Sequence, residues 1–332
     1  MKVPMSRGPL SRQVTDALYD PDGGRFALVE WDAVGVDVLT DEDVQLALWI
    51  LYEQHYRGFD DVPVDHEWQP DAIALRRRIE VVFEHQLRDA TEAAVADALA
   101  TEDDLVAQIE HLIDAMDGPN LSRYLHRRAT RAQLLDFMAQ RSLYHLKESD
   151  PHSFVLARVD GGTKTALAEL QYDEYGGGRP ERLHATMFAD ALEACGLDRS
   201  YGAYVDDVPG HTLAVNNVMS LFSLQRRLRG AAVGHLAAFE ATSAVPCRRI
   251  AAGIERVGLP DVTAAYFHEH VEADSVHEQT AMRDICGGLV EDFPELRTDV
   301  LFGVAACLHL DRLAGAGLLA SWGVAEDRRV AS

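Results

Sequence analysis

At 332 residues, with 47% apolar and 26% charged side chains, the chain has the apolar mass for one large or two moderate globular domains. Its formal net charge of −23 argues against a nucleic-acid partner, because phosphate contacts need clustered Lys and Arg. Four scattered cysteines (Cys195, Cys247, Cys286, Cys307) form no Cys-x-x-Cys pair, which argues against a thiolate zinc site.

Residues 1–40 are rich in Gly, Pro and Asp and carry no helical period; Phe26 to Val38 reads as extended. The run from Met1 to Arg7 lacks the apolar core of a secretory signal, and no apolar stretch reads as long enough to span a bilayer. A cytoplasmic protein without membrane partners is therefore expected. Thr40 reads as the N-cap of a helix through Leu46, Trp49, Ile50 and Tyr52. Pro70 opens a second helix, and Thr101 reads as the cap of a third. Gly118-Pro119 breaks the pattern, so residues 1–118 form an N-terminal helical region.

Beyond it, helices are expected over 130–148, 163–175, 180–194, 212–244, 260–287 and 296–321. Strand-type alternation is scarce, and the fold class is all-α, with a bundle as the way to bury these stripes. Cys195, Cys286 and Cys307 fall in helices or at helix ends, where buried free thiols are expected.

One helix carries an unusual set. His270, Asp274 and His277 are spaced four and three apart, so they fall within an arc of roughly 60° on one helix face. Two imidazoles and a carboxylate suit iron, manganese or zinc, although a solvated face or a hydrogen-bonded cluster has the same spacing. Glu174 continues the apolar stripe of Leu167 and Leu170, just before Gly176-Gly177-Gly178. His184 heads the stripe Met187, Phe188, Ala191 and Leu192 on the next helix, opened by Pro180. Glu240 lies in the small apolar run from Gly230 to Ala241, where an unpaired carboxylate is costly. Glu181 stands three residues before His184 and rivals Glu174, although a first-turn Glu also favours the helix dipole. Alone, Glu174 suits a helix end and His184 a hydrogen-bonded core position. Together the six residues match the ligand content of a carboxylate-bridged dinuclear iron site.

These motifs resemble the heme-oxygenase-like diiron oxidases and oxygenases, the iron-containing redox enzymes. The resemblance is carried by Asp173 to His184, Arg229 to Glu240 and His270 to His277, and spans roughly residues 130–325. It implies a heme-oxygenase-like diiron domain over 119–332 and a ligand set of Glu174, His184, Glu240, His270, Asp274 and His277. Glu174 is favoured over Glu181 because the family's first carboxylate precedes the glycine turn. Some N-oxygenating members carry an extra carboxylate upstream, which points to Glu148; a solvent-facing helix-end Glu is the alternative there.

The implied cofactors are two Fe(II)/Fe(III) ions, with O2 as co-substrate. The implied reaction is N-oxygenation of an amino acid or other small amine. Oxidative C–C cleavage or desaturation of a small amino or carboxylic acid is the alternative, and a non-catalytic iron-binding helical protein the second. A metal-free helical enzyme of the same superfold leaves Glu240 unexplained. Tyr266, one turn before His270, is a candidate substrate or ligand contact or an ordinary core tyrosine. Arg229, with Arg226 and Arg227, is a candidate partner for a substrate carboxylate or a surface charge. The N-terminal region resembles the accessory helical domain of larger members, which implies a homodimer; an external electron donor is also implied.

Overall fold

The computed structural model describes residues 1–22, 24–101, 104–115 and 120–324, and of residues 272–276 the backbone alone. Among the described residues the regular structure is helical throughout, with no strand.

The N-terminal third departs from expectation in its details. Pro9–Leu18 forms a helix, α1, with Leu10, Val14, Ala17 and Leu18 buried along one face. Its first-turn amides of Leu10 and Ser11 donate to the Asp43 carboxylate at 2.8 and 2.7 Å. Pro9 at the first helical position is its local start signal, while the Asp43 contacts come from another helix. The stretch expected to be extended begins as a 3₁₀ turn, Gly24–Leu28, and continues irregularly. In α2 (Glu42–Glu53) the cap is Asp41, whose carboxylate accepts from the amides of Asp43 and Val44; the Thr40 hydroxyl donates instead to Asp37. α3 (Pro70–Thr101) opens at Pro70 as expected. Thr101 closes that helix, and Asp104 caps α4 (Leu105–Asp114). The predicted break at Gly118-Pro119 lies outside the described residues.

The remaining helices are α5 (Leu121–Arg127), α6 (Arg131–His145), α7 (Asp150–Leu156), α8 (Gly161–Glu174), α9 (His184–Ala194) and α10 (Gly210–Leu224). α11 (Arg229–Arg256), α12 (Asp261–Gln279), α13 (Gly288–Asp292) and α14 (Arg297–Ser321) complete the chain, with a π-helical turn, Thr280–Gly287, between α12 and α13. The helix expected over 212–244 is thus two helices. Gln225 adopts an extended conformation between them, and a 3₁₀ turn follows at Arg226–Leu228. Pro180 opens a 3₁₀ turn, and α9 itself starts at His184.

α11 is the hub, packed against α12, α14 and α5. Its small residues have a steric reason: a methyl group added at Gly234 would collide with the Val300 backbone of α14, and one at Gly303 of α14 with the Ala231 backbone. The two backbones meet where side chains are missing. The Pro294–Ser321 segment is long and apolar enough to cross a membrane by length and composition, which corrects the expectation that no run is. Most of it is buried in the bundle, where Val300, Leu301 and Val304 contact no solvent.

One apolar core runs through both parts of the chain, joining Trp49 and Phe83 to Phe222 and Phe302. A second gathers Phe137, Phe188, Tyr266, Phe267 and Leu318. All four cysteines are free thiols; Cys286 and Cys307 are buried as expected, whereas Cys195 is only half-buried.

Candidate metal centre

Five segments converge on the site: the turn between α6 and α7, the C-terminus of α8, the N-terminus of α9, the middle of α11 and the C-terminal half of α12. Glu174 is the last residue of α8. The three glycines after it all have positive φ, and a Cβ on Gly176 would overlap the backbone of Arg182 and Leu183. That close reversal brings His184 back onto Glu174, with Nδ1 2.9 Å from Oε2. From α12, His277 places Nδ1 3.4 Å from Glu174 Oε1 and 3.5 Å from Glu240 Oε2. Glu174 therefore offers one oxygen to each of two neighbours on opposite sides.

His270 makes the other half. Its Nδ1 pairs with the Tyr266 carbonyl at 2.9 Å, which leaves Nε2 facing Glu148 Oε2 at 3.5 Å. Glu148 is 7% exposed, so the solvent-facing alternative for it is excluded. Ser149, beside it, is the only non-glycine residue with positive φ among the described residues. A left-handed serine costs about 1–2 kcal/mol. Here it turns the chain so that Glu148 points inward and the Ser149 hydroxyl donates to Glu174 Oε2 at 3.1 Å.

Two triads result, Glu148/His184/His270 and Glu174/Glu240/His277, each with its donor atoms within 4.8 Å of one another. Of the predicted residues, Glu174, His184, Glu240, His270 and His277 come together, and Glu148 joins them. The side chain of Asp274 lies outside the described residues, while its backbone belongs to α12. Glu181 is exposed on the 3₁₀ turn and takes no part. Arg229 is removed from the site: it starts α11, about 16 Å of helix from Glu240, with its guanidinium over Phe293. Tyr266 is buried and donates to Glu148 Oε2 at 2.8 Å, with His145 Nδ1 2.7 Å from its hydroxyl.

His145, Ser149 and His152 escaped the sequence reading. His145 precedes Glu148 by one turn, a spacing that could have flagged it. Ser149 could not be read, because its role depends on a backbone conformation. His152 lines the same cavity as Glu148, Glu174, Glu240 and His270, a water-sized space of about 10 Å³.

The electrostatics are those of a cation site held together by protons. Burial pushes the Glu148 carboxyl up, but the His270 and His145 imidazoles outweigh it and hold it well below the usual range. Burial likewise opposes the ionised Glu174, and His184 and His277 bring it down to about 2. His277 is pushed down by burial and up by Glu174 and Glu240, reaching about 11. A cation entering this cluster takes the place of imidazole protons.

The donors fit iron. His184 Nδ1 and His277 Nδ1 are buried and near carboxylate oxygens, yet neither makes an aligned hydrogen bond. Once their protons leave, these nitrogens and the carboxylate oxygens face one another as donor atoms, and mixed imidazole and carboxylate donors suit a first-row transition metal.

The chain matches the model of the iron-containing redox enzyme family over residues 135–312, more than half its length. It belongs to that family and is an oxidoreductase with the all-α, heme-oxygenase-like fold its sequence resembles. Among curated proteins it is similar to a nitrosourea synthase of Streptomyces achromogenes subsp. streptozoticus, 28% identical over 164 residues. That stretch is 49% of this chain and 34% of the relative, so the chain spans about a third of the relative's length. Among solved structures it is similar in fold to a CADD-like protein of unknown function from Nostoc punctiforme PCC 73102. The TM-score is 0.50 at 18% identity, covering 65% of this chain and 94% of that one.

Proposed function

We propose that the chain is an O2-dependent non-heme diiron oxygenase that N-oxygenates an amino acid or another small amine. The observation that carries the diiron reading is Glu174, whose two oxygens face members of different triads. A carboxylate so placed could serve two cations, and a mononuclear site has no use for the second triad. When bound, the two irons would supply the electrons for reducing O2.

The side chains have separable tasks. Glu148, Glu174 and Glu240 offset the charge of two cations, and His184, His270 and His277 bind as neutral imidazoles. Tyr266 and Ser149 donate to Glu148 and Glu174 and so fix the direction of those carboxylates. Phe239, Leu236 and Tyr144 border the cavity with the ligands and give it an apolar wall. The N-oxygenation reading is supported by Glu148, the extra carboxylate, and by the similarity to a protein named a nitrosourea synthase.

Anaerobic Fe(II) titration of the metal-free protein tests the metal count, and two irons per chain are expected. Exposure to O2 with a panel of amines, amino acids and fatty acids then tests the reaction. N-hydroxy or nitro products support the proposal; alkene, aldehyde or released ammonia replaces it with C–C cleavage or desaturation. Iron that binds without substrate-dependent O2 consumption replaces it with a non-catalytic iron protein.

A further inference from the structure

The turn that carries Glu148 and Ser149 is gripped from the other side by the N-terminal region. Lys147 is buried, and its ammonium lies 3.2 Å from Glu53 Oε2 at the end of α2. The Tyr201 hydroxyl donates to the same oxygen at 2.8 Å, and the Arg57 amide to Glu53 Oε1 at 3.4 Å. The Lys147 ammonium also sits 4.1 Å above the Tyr56 ring. The Arg57 guanidinium donates to the Leu146 carbonyl at 2.8 Å and lies 3.7 Å from Asp150 Oδ2. Residues 146, 147 and 150 are thus held by α2 and the residues just after it, while 148 and 149 face the carboxylate and imidazole cluster.

We propose that Glu53, Lys147 and Arg57 are positioning residues, a clamp through which the N-terminal region sets the place of Glu148 and Ser149. This rests on the reading of Glu148 as a metal ligand. A buried ion pair is poorly suited to adding stability, since an apolar pair of like volume fills the same space without the desolvation cost. What it adds is direction. The turn is four residues long and contains a left-handed serine, a conformation that persists only where its surroundings over-determine it. With Lys147 held against α2, its neighbour Glu148 faces His270 in the bundle. The clamp also gives the N-terminal region a part in the metal centre in addition to its packing.

The test uses the full chain and the variants Glu53→Gln and Lys147→Met. In the metal-free protein, amide hydrogen exchange over residues 146–150 is expected to accelerate at least tenfold beyond any change in α8 and α11. In anaerobic Fe(II) titration, the Glu148/His184/His270 triad should weaken at least tenfold while Glu174/Glu240/His277 holds. Iron content then falls from two per chain toward one at concentrations that saturate the parent. Where either variant fails to fold, Tyr201→Phe removes one hydrogen bond from Glu53 without changing charge, and a smaller shift of the same pattern is expected. Folded variants with parental exchange and parental iron content overturn the clamp. So does exchange accelerated by the same factor over 146–150 and in every helix, with both triads weakened equally, which is the mark of a merely structural pair. If the parent binds no iron, the diiron reading fails, and exchange over 146–150 still decides the clamp.

Discussion

Two buried charged clusters flank the turn at residues 146–150, and they are built on opposite principles. On the α2 side, the Glu53 carboxylate oxygens, the Lys147 ammonium and the hydroxyls of Tyr56 and Tyr201 each meet a partner. On the bundle side, three carboxylates and three imidazoles converge, and the Nδ1 atoms of His184 and His277 are left without an aligned hydrogen bond. The first cluster is closed on itself by these contacts. The second gathers groups able to hold a metal ion. Burial of charge therefore does not by itself mark a functional site; convergence of donors that fail to satisfy one another does.

Removing the shared member should have the largest effect. Glu174→Ala removes a member of one triad together with the oxygen that faces His184 of the other, and leaves His184 and His277 without their nearest carboxylate. Iron affinity is expected to fall by more than the ~10–100-fold that losing an outer partner costs, with both irons lost at once. Metal analysis after gel filtration checks it; a variant that keeps two irons breaks the contrast drawn above. The closed cluster should respond in stability. Lys147→Met leaves Glu53 buried and unpaired, which costs about 3–5 kcal/mol, whereas Glu53→Leu combined with Lys147→Met should be close to neutral. Chemical denaturation of the metal-free proteins compares the two.

A third buried polar group sharpens the comparison through pH. His277 is held charged by Glu174 and Glu240, whereas His235 on α11 is driven by burial, and then by the His152 imidazole, down to about 3. Its folded-state value lies below the unfolded value near 6.5, so the unfolded chain binds more protons as pH falls through that window. Stability should decline by about 1.4 kcal/mol per pH unit from this residue between pH 6 and 4. In His235→Leu that part of the acid limb should flatten, with little change at pH 7. Thermal unfolding of parent and variant across this range is the measurement, and parallel curves would sink the assignment. Smaller still is Tyr266→Phe, which keeps the ring and removes the donor to Glu148. It should weaken one iron roughly tenfold, the low end for an outer partner, and cost about 1 kcal/mol of stability.

The limits of reading this chain follow from where each residue sits. Glu174 and His184 are legible from the apolar stripes they continue or head, Glu240 from the small apolar run around it, and His270 and His277 from a spacing that puts both on one helix face. Glu148 lies on a turn, where periodicity stops, and only the resemblance to a family pointed to it. Ser149 and the Glu53–Lys147 pair depend on a backbone dihedral and on contacts between distant parts of the chain, neither of which spacing encodes. α1 carries a local signal in Pro9 at its first position, but the Asp43 carboxylate that meets its first-turn amides belongs to another helix, which spacing does not encode. Arg229 was proposed on helical proximity to Glu240, but position along a helix does not place two residues at one site when several turns separate them.

The smallest expected effect tests that reasoning most directly. Glu181 and Glu174 were rivals, and Glu181 has the Glu-x-x-His spacing that marks ligands on a continuous helix. Here the helix is not continuous. The positive-φ glycines reverse the chain, a 3₁₀ turn carries Glu181, and α9 begins only at His184, so the three-residue spacing no longer places both side chains on one face. Glu181 is exposed while Glu174 sits against His184. Glu181→Ala should therefore leave iron content at two per chain and change stability by no more than about 0.5 kcal/mol. Loss of an iron in that variant would mean that the turn rearranges to bring Glu181 inward, and Glu174 would lose its place as the bridge.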